Sequence, residues 1–307
     1  KLDIQHFFYI GGNDSMDTIK QLSEYAKAKN ITDITFMGVP KTIDNDLAVT
    51  DHTPGYGSAA KYIASTMKEI IRDALVQPIK IVNIIEIMGR NAGWLTAAAA
   101  LAKGDDCEGA DLIYLPETVF DINKFVAKVQ EIQKTKKQIV VAVSEGVKTA
   151  DGKYVCESAS SNMLVDSFGH KQLSGTATAL ANVISNEIGC KTRAIEFSTI
   201  QRCASHIASL TDVNEAFIVG GIAVKAAFDG ETGKVGIFQR LSNKPYLMGT
   251  SIYDVNAIAN VEKTVPQEWI INDGTGVSQE ALDYMRPLIQ GEIYPYMVDG
   301  LPRHIKL

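Results

Sequence analysis

Short apolar runs alternate with longer amphipathic ones along the chain. "HFFYI" (6–10) reads as a buried strand, and "SMDTIKQLSEYAKAK" (15–29) follows with Ile19, Leu22 and Ala26 at helical spacing. "ITDITFMGV" (31–39) is the next strand, and "GYGSAAKYIASTMKEIIRDALV" (55–76) is a long helix closed by Pro78. "IKIVNIIEIM" (79–88) is β-branched and strand-like, and an alanine-rich helix (92–102) comes after it. "ADLIYLP" and "QIVVAVSEG" read as strands on either side of the helix "INKFVAKVQEIQK". The rhythm continues through "TRAIEFS" (192–198) and a helix at 213–228. Apolar strands alternating with helices predict an α/β fold whose parallel sheet is covered on both faces. The polar turn "TADGKYV" (149–155) reads as a surface excursion, not a domain boundary.

In such sheets ligands bind beyond the carboxyl ends of the strands. Four strand exits qualify: "GGNDS" (11–15), "PKTIDND" (40–46), "MGRNAGW" (88–94) and "SEG" (144–146). In the first, Gly11 and Gly12 permit a tight turn, Asp14 or Ser15 can cap the helix, and its free N–H groups suit a phosphate. In the second, Asp44 and Asp46 are two apart, so extended backbone would point them to one side. Two such carboxylates repel unless a cation or a proton-transfer task justifies them. Magnesium takes one or two carboxylates plus phosphate oxygens, which leaves the other aspartate free to accept a proton. A solvated Asx-rich turn is the competing reading of the same residues. Arg90, flanked by Gly89 and Gly93, and the pair Arg193 and Arg202 in "TRAIEFSTIQR" supply guanidiniums suited to bidentate phosphate contacts. Glu145 ends a strand, where it can accept sugar hydroxyls or serve a structural role.

Composition narrows the field. The 307 residues are 46% hydrophobic and 21% charged with a net charge of −6, which speaks against a general nucleic-acid binder. A few local arginines and lysines can still collect a small anion. Four cysteines without C-x-x-C spacing fit free thiols in a reducing cytoplasm. The five histidines lack metal spacing, and no apolar stretch is long and clean enough to span a bilayer. The chain opens on Lys1 and enters a strand pattern almost at once, so upstream sequence is expected to be missing.

"GGNDS", "PKTIDNDL", "MGRNAGW", "SEG" and "TRAIEFSTIQR", in this order, resemble the phosphofructokinase family, from Lys1 to the closing "PLIQGEIYPYMVDGLPRHIKL". The resemblance implies two doubly wound parallel-sheet domains with the active site between them. Residues 1–55 plus about 203–265 would bind the phosphoryl donor, and 56–202 plus about 266–307 the fructose 6-phosphate. It implies magnesium-dependent transfer of a phosphoryl group to the 1-hydroxyl of that sugar. Asp44 resembles the catalytic base and Asp46 its partner near the metal. Thr42, Met88, Gly89, Arg90 and Glu145 match positions that hold the sugar phosphate. Arg193 and Arg202 match arginines on the 6-phosphate, the first usually given by a neighbouring subunit, which implies at least a dimer with a shared active site.

Two positions bear on the donor. ATP-using relatives generally carry glycine where this chain has Asp14 and Lys41, and this pair resembles that of pyrophosphate-dependent members. A carboxylate at Asp14 crowds the place where ATP continues past its β-phosphate. A like-charge contact at ~4 Å costs ~1–4 kcal/mol, roughly fivefold to several hundredfold against ATP. Lys41 offers a point charge to pyrophosphate, which has no nucleoside to anchor it. Three departures accompany the match. Asn13 stands where many relatives carry an aspartate, so magnesium is expected to lean on Asp14 or Asp46. Thr199 replaces a histidine of ATP-using relatives. The family's first strand and Gly-rich loop would lie before Lys1, which makes a separate N-terminal piece an expected partner. The expectation is a reversible, cytoplasmic, pyrophosphate-dependent enzyme. An ATP-dependent enzyme and a non-catalytic subunit or inactive fragment of the same fold are the competing readings.

Overall fold

The computed structural model describes residues 3–158 and 173–306. Lys1, Leu2, Leu307 and the stretch 159–172 of the expected sugar-binding domain lie outside them. In chain order the main elements are β1 (His6–Gly11), α1 (Asn13–Ala28), β2 (Thr35–Pro40), α2 (Tyr56–Leu75), β3 (Ile81–Ile87) and α3 (Trp94–Ala97). They continue as β4 (Leu112–Tyr114), α4 (Ile122–Ile132), β5 (Gln138–Ser144), α5 (Thr176–Ile188) and β6 (Lys191–Glu196). The last are α6 (Leu210–Phe228), β7 (Lys234–Asn243), β8 (Tyr246–Asp254) and α7 (Gln279–Met285). The alanine-rich segment keeps only one α-helical turn and finishes as a 3-10 helix over Ala98–Ala102.

The chain divides into two compact units: Lys1–Ala59 with Ser205–Lys263 and Arg286–Leu307, and Ala60–Ala204 with Thr264–Met285. The segment from Arg286 onward therefore packs with the first unit, not with the sugar-binding half to which the sequence reading gave it. There, the Ser209 hydroxyl lies within hydrogen-bond reach of the carbonyls of Leu288 (2.7 Å) and Gln290 (3.1 Å), contacts that a reading of hydrophobic pattern does not register.

The first unit is built on a four-stranded sheet of order β1-β2-β7-β8. Strands β1, β2 and β7 run parallel, whereas β8 returns antiparallel as a hairpin partner of β7. Alternation along the strands decides the layering. Phe36, Val235 and Ile237 pack in one cluster with Met16 and Ile19 of α1, while Val39 and Phe238 join Val219 and Ala223 of α6. One helix thus covers each face. The second unit has an all-parallel sheet of order β4-β5-β3-β6. Its β3 is buried at every position, which is why "IVNIIEI" is apolar almost throughout. Val82, Ile84, Val141 and Val143 form a core with Phe125 and Val129 of α4 and Leu180 and Ile184 of α5. Among the described residues no helix is long and apolar enough to cross a membrane.

Candidate active site

In the first unit the exits of β1 and β2 are tied together by Lys41 N–H donating to the Gly11 carbonyl at 3.0 Å. A Cβ on Gly11 would lie 2.7 Å from Ser15 Cβ, which cannot rotate away, so glycine is favoured where the strand turns into α1. The N-cap of α1 is Gly12, with no side-chain capping bond. Asp14 and Ser15 sit within the first turn instead, a correction to the capping role expected of them. Asp14 and Lys41 are both exposed.

The segment between the two aspartates is not extended as expected, because Asn45 is left-handed at φ 55°. Its side chain makes that turn worthwhile: Asn45 is fully buried, and its Oδ1 accepts the Thr53 N–H at 3.1 Å. Thr42 Oγ1 accepts the Asp44 N–H (3.1 Å) and donates to Asp44 Oδ2 (3.3 Å). The carboxylates nonetheless feel each other. Burial, followed by the charge of Asp44, raises the pKa of Asp46 above the usual carboxylate value. Asn13 Nδ2 donates to Asp46 Oδ2 at 3.3 Å, while Oδ1 of both side chains is buried with no partner among the described residues. Buried acceptors without a donor, on two hydrogen-bonded side chains, are what a cation satisfies, and oxygen ligands of this kind suit magnesium. Of the two aspartates on which magnesium was expected to lean, Asp46 is hydrogen-bonded to Asn13 and Asp14 is exposed.

In the second unit a cavity of about 460 Å³ opens at the exits of β3, β5 and β6, and Met88, Arg90, Glu145, Thr199 and Arg202 all line it. Gly89 is at φ 148°, and its N–H points to Glu145 Oε1 at 3.4 Å, joining two of these exits. Among the described residues the buried Arg90 Nε has no partner, a donor suited to an anion in the cavity. Arg193 is not brought there. It lies on β6 and bonds Asp73 at 2.9 Å, outside the cavity lining.

Sequence reasoning missed Glu86, Glu196 and Gln201, which also line this cavity. Gln201 Oε1 accepts the Met88 N–H at 3.2 Å and holds that strand exit. Glu86 is buried on β3 and accepts the Ala177 N–H at 2.9 Å, capping α5. Burial raises its pKa to about 6 against that hydrogen bond, with Glu196 adding repulsion. A charge inside the apolar run "IVNIIEIM" was the available signal. Lys263 was missed as well, and nothing in "VEKTV" marks it.

Paired carboxylates beside a glycine-opened helix N-terminus in one unit, and a cavity combining arginines with glutamates in the other, define an α/β protein equipped for phosphoryl transfer. A family model described as Phosphofructokinase matches residues 1–203. A pyrophosphate–fructose 6-phosphate 1-phosphotransferase of Halomonas elongata is 39% identical over 307 residues, 99% of this chain and 72% of that one. A protein of the same name from Xanthomonas campestris is 42% identical over 308 residues, 99% of this chain and 73% of its own length. The crystal structure of a pyrophosphate-dependent phosphofructokinase from Nitrosospira multiformis matches with a TM-score of 0.87 and 38% identity, over 98% of this chain and 72% of that one. The chain belongs to the phosphofructokinase family.

Proposed function

We propose that the protein catalyses reversible transfer of a phosphoryl group from pyrophosphate to the 1-hydroxyl of fructose 6-phosphate, giving fructose 1,6-bisphosphate and orthophosphate. The observation that carries this reading is the Asp44–Asp46 loop, tied by Lys41 to the open N-terminus of α1. Asp44 takes the proton of the 1-hydroxyl as its oxygen bonds to phosphorus. The bridging P–O bond breaks, and orthophosphate leaves toward the N–H groups of α1 and the Lys41 ammonium. Asp46, with Asn13, would hold Mg²⁺, which when bound neutralises charge on the pyrophosphate oxygens. Arg90 and Arg202 hold the sugar phosphate, and Glu145 orients its hydroxyls.

Donor choice rests on Asp14 and Lys41, both exposed at adjoining strand exits, and the names of the relatives agree with it. The first unit would be the donor-binding domain and the second the sugar-binding domain. The position of Arg193 outside its own cavity fits a residue given to a neighbouring subunit, so an oligomer of two or more chains completes the reading, with the cytoplasm as its expected location. Incubating the protein with fructose 1,6-bisphosphate, orthophosphate and Mg²⁺ tests it. Pyrophosphate should appear by ³¹P NMR, and its absence would refute reversible transfer.

A further inference from the structure

The loop that carries Asp44 and Asp46 holds two non-glycine residues in the left-handed region, Asn45 at φ 55° and Val49 at φ 70°. For a β-branched residue this is a strained conformation, and it persists only where surrounding bonds over-determine it. Those bonds converge on Lys263. Its main-chain N–H donates to the Asp46 carbonyl at 2.7 Å, next to an antiparallel bridge between Leu47 and Glu262. Its ammonium turns back on the same loop and donates to Asn45 Oδ1 (3.3 Å), the Thr50 carbonyl (3.1 Å) and the Asp51 carbonyl (2.8 Å). One residue therefore fastens the loop at Asn45 and just after Val49.

The distal end of the loop is anchored independently. The Asp51 carboxylate receives Arg240 Nη2 at 2.9 Å and lies 2.9 Å from His52 Nδ1. His52 Nε2 is 2.7 Å from Glu215, which also accepts the Tyr246 hydroxyl at 2.7 Å, and the imidazole stacks on Phe238. By contrast, the hydrogen bond from Asn13 to the Asp46 side chain is long, at 3.3 Å. Lys263 joins the Asn45–Thr53 bond in linking the anchored end to the end that carries the chemistry.

We propose that Lys263 is a positioning residue for phosphoryl transfer, acting through Asn45 and the Asp46 main chain without touching substrate. The proposal rests on the functional reading above. Lys263→Met keeps the aliphatic stem and removes the ammonium. In the full chain, hydrogen exchange of peptides spanning 44–53 should quicken by about tenfold or more, with β1 unchanged. Turnover with pyrophosphate should fall by roughly 10–100-fold, as for a slightly misplaced catalytic group, while KM for fructose 6-phosphate stays within about threefold. Lys263→Arg, which keeps charge and donors, should retain most of the exchange protection. Unchanged exchange at 44–53, exchange quickened throughout the first unit by both variants, or a loosened loop with full turnover would overturn the proposal. A wild-type protein inactive with pyrophosphate would refute the functional reading instead, and the exchange result would still decide the role of Lys263.

Discussion

Asn13 and Asp46 share a hydrogen bond, Nδ2 to Oδ2 at 3.3 Å, and among the described residues each leaves its buried Oδ1 without a donor. A cation at these oxygens removes two unsatisfied acceptors and lowers the cost of ionising Asp46, whose pKa burial and Asp44 have raised. Chelation should abolish turnover, and added Mg²⁺ should restore it. Asp46→Asn should raise the Mg²⁺ concentration for half-maximal activity by about tenfold or more, within the range set by loss of a ligand charge. A Mg²⁺ titration of turnover for both proteins checks this.

Asp44 is held by Thr42 at both its main-chain N–H and its carboxylate, a geometry that keeps it on the loop without burying it fully. Asp44→Ser should lower kcat by about 10²–10⁴, as expected for loss of a general base, with a modest change in KM for fructose 6-phosphate. Unchanged turnover in steady-state kinetics would remove Asp44 from that role.

Glu86 predicts a pH dependence of stability. Its pKa rises from 4.5 to about 6 in the folded chain, so the native state binds this proton more tightly than the unfolded state. Its stabilising contribution is complete below pH ~4.5 and is lost as pH rises through ~6, about 2 kcal/mol in all at 1.36 kcal/mol per pKa unit. Glu86→Gln keeps an acceptor for Ala177 and abolishes the titration. Urea unfolding at pH 4.5 and 7 should show the variant gaining about 2 kcal/mol on the wild type between these values. A constant gap would contradict the burial argument.

Arg202 is exposed and lines the cavity of the second unit, so its loss should leave stability within about ±0.5 kcal/mol. Arg202→Ala should raise KM for fructose 6-phosphate by about tenfold or more through loss of a charge-assisted bond, with a smaller effect on kcat. Thermal melts alongside the kinetics separate this from a folding defect.

Much of this was legible in the sequence because strand exits collect chemistry in doubly wound sheets. The βα rhythm located β1 to β6, and Met88, Arg90, Glu145 and Arg202 do share one cavity. What escaped depends on side chains meeting across long stretches of chain. Asn45 turns left-handed because Thr53 and Lys263 reward it, and period-two reasoning about Asp44 and Asp46 has no access to either bond. The β7–β8 hairpin broke the βα rhythm and went unread, although Arg240 on it reaches Asp51. Arg193 lies on β6 upstream of the strand exit, and its bond to Asp73, 120 residues away in sequence, is likewise invisible to a pattern reading.

Donor choice is the central claim, and one comparison tests it most directly: kcat/KM for pyrophosphate against ATP, at saturating fructose 6-phosphate and Mg²⁺, in a coupled assay for fructose 1,6-bisphosphate. The wild type should favour pyrophosphate. Replacing Asp14 and Lys41 together by glycine should move the ratio toward ATP by roughly fivefold to several hundredfold, the range set by one like-charge contact. A wild type that prefers ATP, or a ratio that does not move, would contradict the account.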